Sequence, residues 1–410
     1  MLPRFYVRPK EHWALGLAST NNSQAIRCNK HVFVAGQVDL DSKTRIRHPG
    51  SLPAQARGSM EYVAASLAGA GADLADLVKL TVFYVMDGKT SEDALLEILS
   101  DCLGPLAGPG PAVTLVPLPH LAYPDMWIEI EGWAMRGLNG ERLPRQAAWR
   151  ADGPKLPRNF SQAVRCEEMI FTSGVTAVDE AGNIPYPGSL YEQSRLVLPK
   201  LDKLLRQLGA SLADAVKANI FNVEPGTKED WRAPALLRAS HYPEPGPAAT
   251  GISLPRVARE GVMVVNDVIA MRAVDGSAMP RTAVWPDNHW DWTVHLPYRH
   301  GIRCGDLVFL GGQVPLAPDA SVLHKDDMVA QTKLAMAYIG RVLDELGLGF
   351  ANVVKVNSFY VGPCGEEYLK PNAETRFSYF PAQGPTSTGV PVPWLAYEDM
   401  LTEIDIVAVV

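Results

Sequence analysis

Two segments each place a carboxylate among apolar neighbours: IEIEG, with Glu129, and TEIDI, with Glu403. A carboxylate held inside an apolar strand is costly unless partnered, and burial raises its pKa. Either glutamate is therefore a candidate general base, or a group that orients water. Tyr298 in PYRHG could close a pocket, and Arg299 and His300 beside it are candidate binding groups. Ser387, Thr388 and Gly389 in PTSTGV form a small-residue step, echoed by Thr250 and Gly251, where glycine lets backbone N–H groups approach a ligand closely. The turns carrying Gly312, Gln313 and Gln37 are expected to supply similar amides. The chemistry this set could perform is proton transfer and water addition on a small organic molecule. A metal is not expected, because the nine histidines show no HxH or HxxxH spacing. No histidine recurs beside Cys28, Cys166 and Cys304 to make a nucleophile pair.

The elements that must position these residues come in triplicate. AIRCNKHVFVAGQ from Ala25, AVRCEEMIFTSGV from Ala163 and GIRCGDLVFLGGQ from Gly301 align at intervals of 138 residues. The same interval links Gln55, Gln193 and Gln331, then Lys79, Lys217 and Lys355, then Phe83, Phe221 and Phe359. Such self-similarity marks a repeated structural unit, and we place the repeats at 1–138, 139–276 and 277–410. In the third, VFLGGQVPL reads as a strand ending in a glycine turn. MVAQTKLAMAYIGRVLDELG reads as a helix capped at Gly347, and VVKVNSFYV as a β-branched and aromatic strand. A second helix follows around Glu366–Tyr379, and PTSTGVPV and MLTEIDIVAVV close the unit. The order is ββ-α-β-α-ββ, with one sheet under two helices, and LPR or MPR at Leu2, Leu143 and Met279 opens a further extended stretch in each copy. The lysines open a strand and are not read as part of a Ser–Lys dyad. Arg27, Arg165 and Arg303 read as surface residues at a strand entry.

The formal net charge of −7, with Lys and Arg interleaved among Asp and Glu, gives no basic stripe for nucleic acid. Five cysteines do not suggest a disulfide framework. The opening MLPRFYVRPKEHW lacks an apolar leader core, and no run of 18 apolar residues occurs. The expectation is a cytoplasmic protein with a small-molecule partner, and neither a nucleic-acid nor a membrane partner.

The SGQ-type turn, the glutamine-bearing helix ending in GAxLADxVK, the FYV strand, the GPA or GPT step and the closing EIE or EID strand together resemble the RidA/YjgF family of imine deaminases. The resemblance covers nearly the whole chain three times. It implies an α/β fold of chorismate-mutase-like units, here three tandem RidA-like repeats forming a single-chain pseudo-threefold ring, in which a monomer suffices as a covalent pseudo-trimer. It also implies clefts between neighbouring units and hydrolysis of reactive imines or enamines without a cofactor. The family holds the substrate carboxylate with an arginine in a PAR motif; here those positions are Val113, Ala249 and Ser387. The family's closing-strand glutamate matches Glu129 and Glu403 but is Val265 in the second repeat. Its aromatic position is Asn22, Phe160 and Tyr298 in turn. The third repeat retains most of the pattern and the second is expected to be mainly structural, so the expected site lies in the clefts bounded by the third and first. The absent arginine also admits a chorismatase-like lyase or hydrolase, a specialised-pathway tailoring enzyme, or a non-catalytic binding protein.

Overall fold

A computed structural model describes residues 2–9, 12–13, 21–223, 231–257 and 259–410. In the first repeat β1 (Arg4–Val7), β2 (Ala25–Cys28) and β3 (His31–Val38) precede α1 (Leu52–Gly69), and β4 (Leu77–Val85), α2 (Glu92–Leu103), β5 (Ala112–Leu118) and β6 (Ile128–Met135) follow. The second repeats this as β7 (Arg145–Ala148), β8 (Ala163–Cys166), β9 (Met169–Thr172), α3 (Leu190–Gln207), β10 (Ala215–Val223), α4 (Arg232–Ala239), β11 (Ala248–Leu254) and β12 (Val264–Met271). The third comprises β13 (Arg281–Val284), β14 (Gly301–Cys304), β15 (Leu307–Leu310), α5 (Met328–Asp344), β16 (Val353–Val361), α6 (Glu366–Phe377), β17 (Thr386–Val392) and β18 (Thr402–Val409). Three strands therefore precede the first helix of each unit.

Each repeat makes one mixed six-stranded sheet, in the first repeat β1-β2-β3-β6-β4-β5. Only the β4–β5 pair and its counterparts are parallel, and α2, α4 and α6 supply the crossovers that parallel pairing demands. Helix α5 is N-capped by the Asp327 carboxylate, which accepts from the Ala330 N–H at 2.9 Å. The helix ends at Asp344, earlier than its apolar period suggests, and Gly347 takes φ 67° to turn the chain back onto Asp344.

The outer face of each sheet packs under its two helices, giving each repeat a core of its own. The inner faces meet in a common core holding Phe33, Trp133, Phe171 and Phe309. The repeated Phe83, Phe221 and Phe359 form a triangle on the axis, with ring centroids 6.2 to 6.5 Å apart. Full burial of each such side chain contributes roughly 1.5–3 kcal/mol.

The repeated lysines close the ring. Lys79 Nζ lies 2.9 Å from Asp267 of the second repeat, Lys217 3.0 Å from Asp405 of the third, and Lys355 2.8 Å from Glu131 of the first. All six side chains are buried. The LPR arginines run the opposite way: Arg145 donates to Leu77 O at 2.7 Å and Arg281 to Ala215 O at 2.9 Å, while Arg4 reaches Val409 O at 2.9 Å. Every interface is thus tied in both directions.

Candidate active site

Three clefts lie between neighbouring repeats, each built from the closing strand of one and the small-residue step of another. In the cleft between the second and third repeats, of about 830 Å³ with its open mouth, Glu403 of β18 faces Ala249 and Gly251 of β11. The glutamate is 3% exposed and its Oε2 has no hydrogen-bond partner. Burial pushes its pKa up to about 8, Asp405 adds to the rise, and Lys217 and the Gly251 amide oppose it. Arg238, from α4, also lines this cleft; it is buried, and its Nη1 donates to Ser194 Oγ at 3.1 Å.

The cleft between the third and first repeats has the same arrangement. Glu129 of β6 faces Ser387 and Gly389 of β17, with Arg376 of α6 on the same wall. Burial raises the Glu129 pKa to about 8, Glu131 adds to it, and Lys355, the Gly389 amide and Arg376 pull it back. Arg376 is 1% exposed, and desolvation lowers its pKa to about 10 while leaving it charged near neutrality. Its Nε donates to Asn372 at 2.9 Å and its Nη1 to Ser387 Oγ at 3.1 Å. Asn372 is itself fixed by Thr332, Thr402 and Ser358, so the guanidinium is preorganised.

The cleft between the first and second repeats has lost every part of this set. Val265 stands for the glutamate and Leu115 for the glycine, and α2 contains no arginine. Its cations, Lys155 and Arg259, are exposed, and Arg259 pairs with Asp93 at 2.9 Å. A carboxylate, a glycine and a helix arginine are thus present together twice and absent together once.

The sequence-predicted residues divide between the two equipped clefts. Glu403, Gly312, Tyr298, Arg299 and His300 line one; Glu129, Ser387 and Gly389 line the other. The second repeat supplies the wall opposite Glu403, so a cleft with this set of residues also lies between the second and third repeats. Gly312 makes room for the catalytic candidate: a Cβ there would fall 1.9 Å from Glu403 Oε1, and one on Gly36 would fall 1.8 Å from Glu129 Oε1. Thr388 sits on the other face of β17, by strand alternation, with its buried hydroxyl unpartnered.

The two glutamines act differently from expectation. The Gln313 amide is engaged by Ile404 O at 2.8 Å, so it is not free to steady charge. Its side-chain oxygen instead accepts from Trp290 at 3.2 Å and contacts His289 at 2.8 Å, and Gln37 holds Trp13 at 3.1 Å and His12 at 2.8 Å in the same way. Each glutamine thereby pins a His-Trp pair whose indole forms a cleft wall. His300 is buried, bonded to Trp290 O at 3.0 Å and held neutral, burial lowering its pKa to about 3. Arg299 bends back onto Pro297 O and Tyr298 O and reaches Glu244 at 3.4 Å. The Tyr298 ring packs on Tyr242 at 5.9 Å.

Arg238, Arg376 and the His-Trp pairs are the residues that sequence reasoning missed. Both carried a signal: the arginines recur at 138 residues, the His-Trp pairs at 277. Arg27 and Arg165 prove to be clamps, Arg165 donating to Leu208 O at 2.7 Å just past α3 and Arg27 to Gly137 O at 2.8 Å. Among the described residues no cluster of three His, Cys, Asp or Glu side chains is placed to hold a metal ion. No described helix is long and apolar enough to cross a membrane.

The family model described as Endoribonuclease L-PSP matches residues 15–136, 152–270 and 293–410. The chain belongs to this family. RutC family relatives are similar to single repeats: one from Pyrococcus abyssi is 32% identical over 112 residues, 27% of this chain and 85% of the relative. YjgH of Escherichia coli is 32% identical over 129 residues, 31% of this chain and 94% of the relative. A human relative, 2-iminobutanoate/2-iminopropanoate deaminase, is 25% identical over 114 residues, covering 26% of this chain and 83% of its own. Among solved structures, a chorismatase superposes with a TM-score of 0.56 and 14% identity, over 82% of this chain and 93% of that one. That likeness shows a shared fold over most of both chains. Family membership and threefold repetition therefore agree with the three sheets.

Proposed function

We propose that this protein is a cofactor-free enzyme that hydrolyses carboxylate-bearing imines, or the enamines that tautomerise to them, in two of its three inter-repeat clefts. The observation that carries the proposal is the pairing of a buried glutamate with a buried helix arginine across each equipped cleft. A fixed-charge guanidinium is suited to clamp a carboxylate. That clamp would hold the imine carbon over the glutamate, whose free oxygen can receive a water proton. The similarity to a deaminase of small imino acids supports the same reading.

In the proposed reaction the glutamate, protonated in the empty cleft, donates to the enamine carbon and becomes a carboxylate. It then accepts a proton from water as the oxygen adds to the iminium carbon. The tetrahedral adduct takes that proton back on nitrogen, the C–N bond breaks as the adduct's hydroxyl proton passes to the glutamate, and ammonia leaves with formation of the keto acid and the protonated glutamate. A pKa near 8 suits a group that works in both directions near neutral pH.

The test is a competition assay. An amino-acid oxidase generates 2-iminobutanoate, and semicarbazide trapping is followed with and without this protein. Faster loss of the imine supports the proposal. No effect on carboxylated or neutral imines would overturn it in favour of a lyase or binding role.

A further inference from the structure

The two equipped clefts share their carboxylate and arginine but differ in their walls. The cleft of Glu403 is lined by Trp231, Trp285, Trp290, Trp292 and Tyr298. Trp231 and Trp292 meet at 5.3 Å and 61°, Trp290 and Trp292 at 4.9 Å and 81°, so rings and edges are presented at near-right angles. That is the arrangement in which a further flat ring gains edge-to-face contacts. In the cleft of Glu129, Leu369 stands in the place of Trp231 and Asn22 in that of Tyr298, while Trp13 is kept for Trp290. The cleft of Glu129 keeps aromatics of its own in Trp13, Tyr123 and Phe377, so what is particular to the Glu403 cleft is the tryptophan cluster, not an aromatic wall as such.

Polar atoms in the same cleft await a ligand. The Trp231 Nε1 and Asn222 Nδ2 donors, on residues 6% and 3% exposed, have no partner among the described residues, and neither has Glu403 Oε2. Native proteins seldom leave such groups unsatisfied. The buried cation Arg238 lies on the lining beside Glu403, while Arg299 there is already paired with Glu244. The cleft as a whole thus favours an anion with a flat apolar body.

We infer that the cleft between the second and third repeats is selective for 2-imino acids with an aryl side chain, the ring lodged among Trp231, Trp290 and Trp292 and the carboxylate on Arg238. This rests on the imine-hydrolysis reading of the same site.

The experiment compares imines generated by an amino-acid oxidase from phenylalanine and from alanine, using the full chain. The expected result is a kcat/KM at least tenfold higher for the phenylalanine imine. E403Q should abolish most of that turnover. W231L, which installs the residue found at 369, should shift the phenylalanine-to-alanine ratio about tenfold towards alanine, the order expected when one indole's ring contacts are lost. Equal rates on the two imines, or a ratio unmoved by W231L and E403Q in folded variants, would overturn the inference and leave the deaminase reading standing. The converse case is separated by calorimetric binding of phenylpyruvate against pyruvate. Tight binding of the aryl acid, weakened by W231L, with no turnover of either imine would uphold the ring site and overturn the hydrolysis. No preference for phenylpyruvate would overturn the ring site itself.

Discussion

Arg376 Nη1 donates to Ser387 Oγ over 3.1 Å, from helix α6 to strand β17. Ser387 is the strand position at which the family resemblance expects an arginine, so a guanidinium reaches this place from a neighbouring helix. Replacing Arg376 and Arg238 together with Met should lower kcat/KM for a carboxylated imine by about 10–100-fold, the worth of a hydrogen bond to a charged group, whereas either change alone leaves the other cleft working. A neutral imine should lose much less. The check is the semicarbazide assay run with both substrates.

Gly312→Ala should be selective in the opposite sense. Its methyl would collide with Glu403 Oε1, the far end of a flexible side chain, so the fold should survive and the carboxylate should move. We expect a melting temperature close to wild type with at least a tenfold fall in the turnover served by Glu403.

The pH dependence follows from two carboxyls raised to about 8 in the folded state. A group with a raised folded pKa stabilises the fold fully below its unfolded value, and this contribution is lost as pH rises through the folded pKa. Thermal stability should therefore decline between roughly pH 4.5 and 8. E129Q and E403Q should each flatten that decline in calorimetry. Imine turnover should show a descending limb near pH 8, because the cycle opens with the glutamate protonated, and the double variant should lack it.

Lys79 donates to Thr114 Oγ1 at 2.6 Å, Thr172 O at 2.7 Å and Asp267 at 2.9 Å, all buried. Burial lowers its pKa, and Asp267 opposes the shift. Lys79→Met would strand Asp267 and should cost about 3–5 kcal/mol in chemical denaturation. Adding Asp267→Leu should recover much of that loss, whereas a purely local packing defect would not be rescued.

The triplication, the sheet-and-helix unit and both glutamates were legible in the sequence, because strand and helix periods and the 138-residue interval survive divergence. The helix arginines were not. Arg376 and Ser387 are eleven positions apart on different elements and meet only when α6 packs on β17. A strand-bound motif search cannot anticipate that meeting, and neither can it assign Glu403 to Gly251 of the second repeat before the ring order is known. Gln313 misled for another reason: its glycine turn was expected to offer a free backbone amide, yet that amide is held by Ile404 O and the side chain is buried on the His-Trp pair.

The cycle of Lys79–Asp267, Lys217–Asp405 and Lys355–Glu131 has a mechanical consequence. Open repeat arrays fray from their terminal units, which face solvent on one side and need polar caps. In this ring every unit has two neighbours and none is terminal. Peeling any one away would strip partners from two buried ion pairs at once, so there is no weak end at which unravelling can begin. The three repeats should melt as one body rather than in succession.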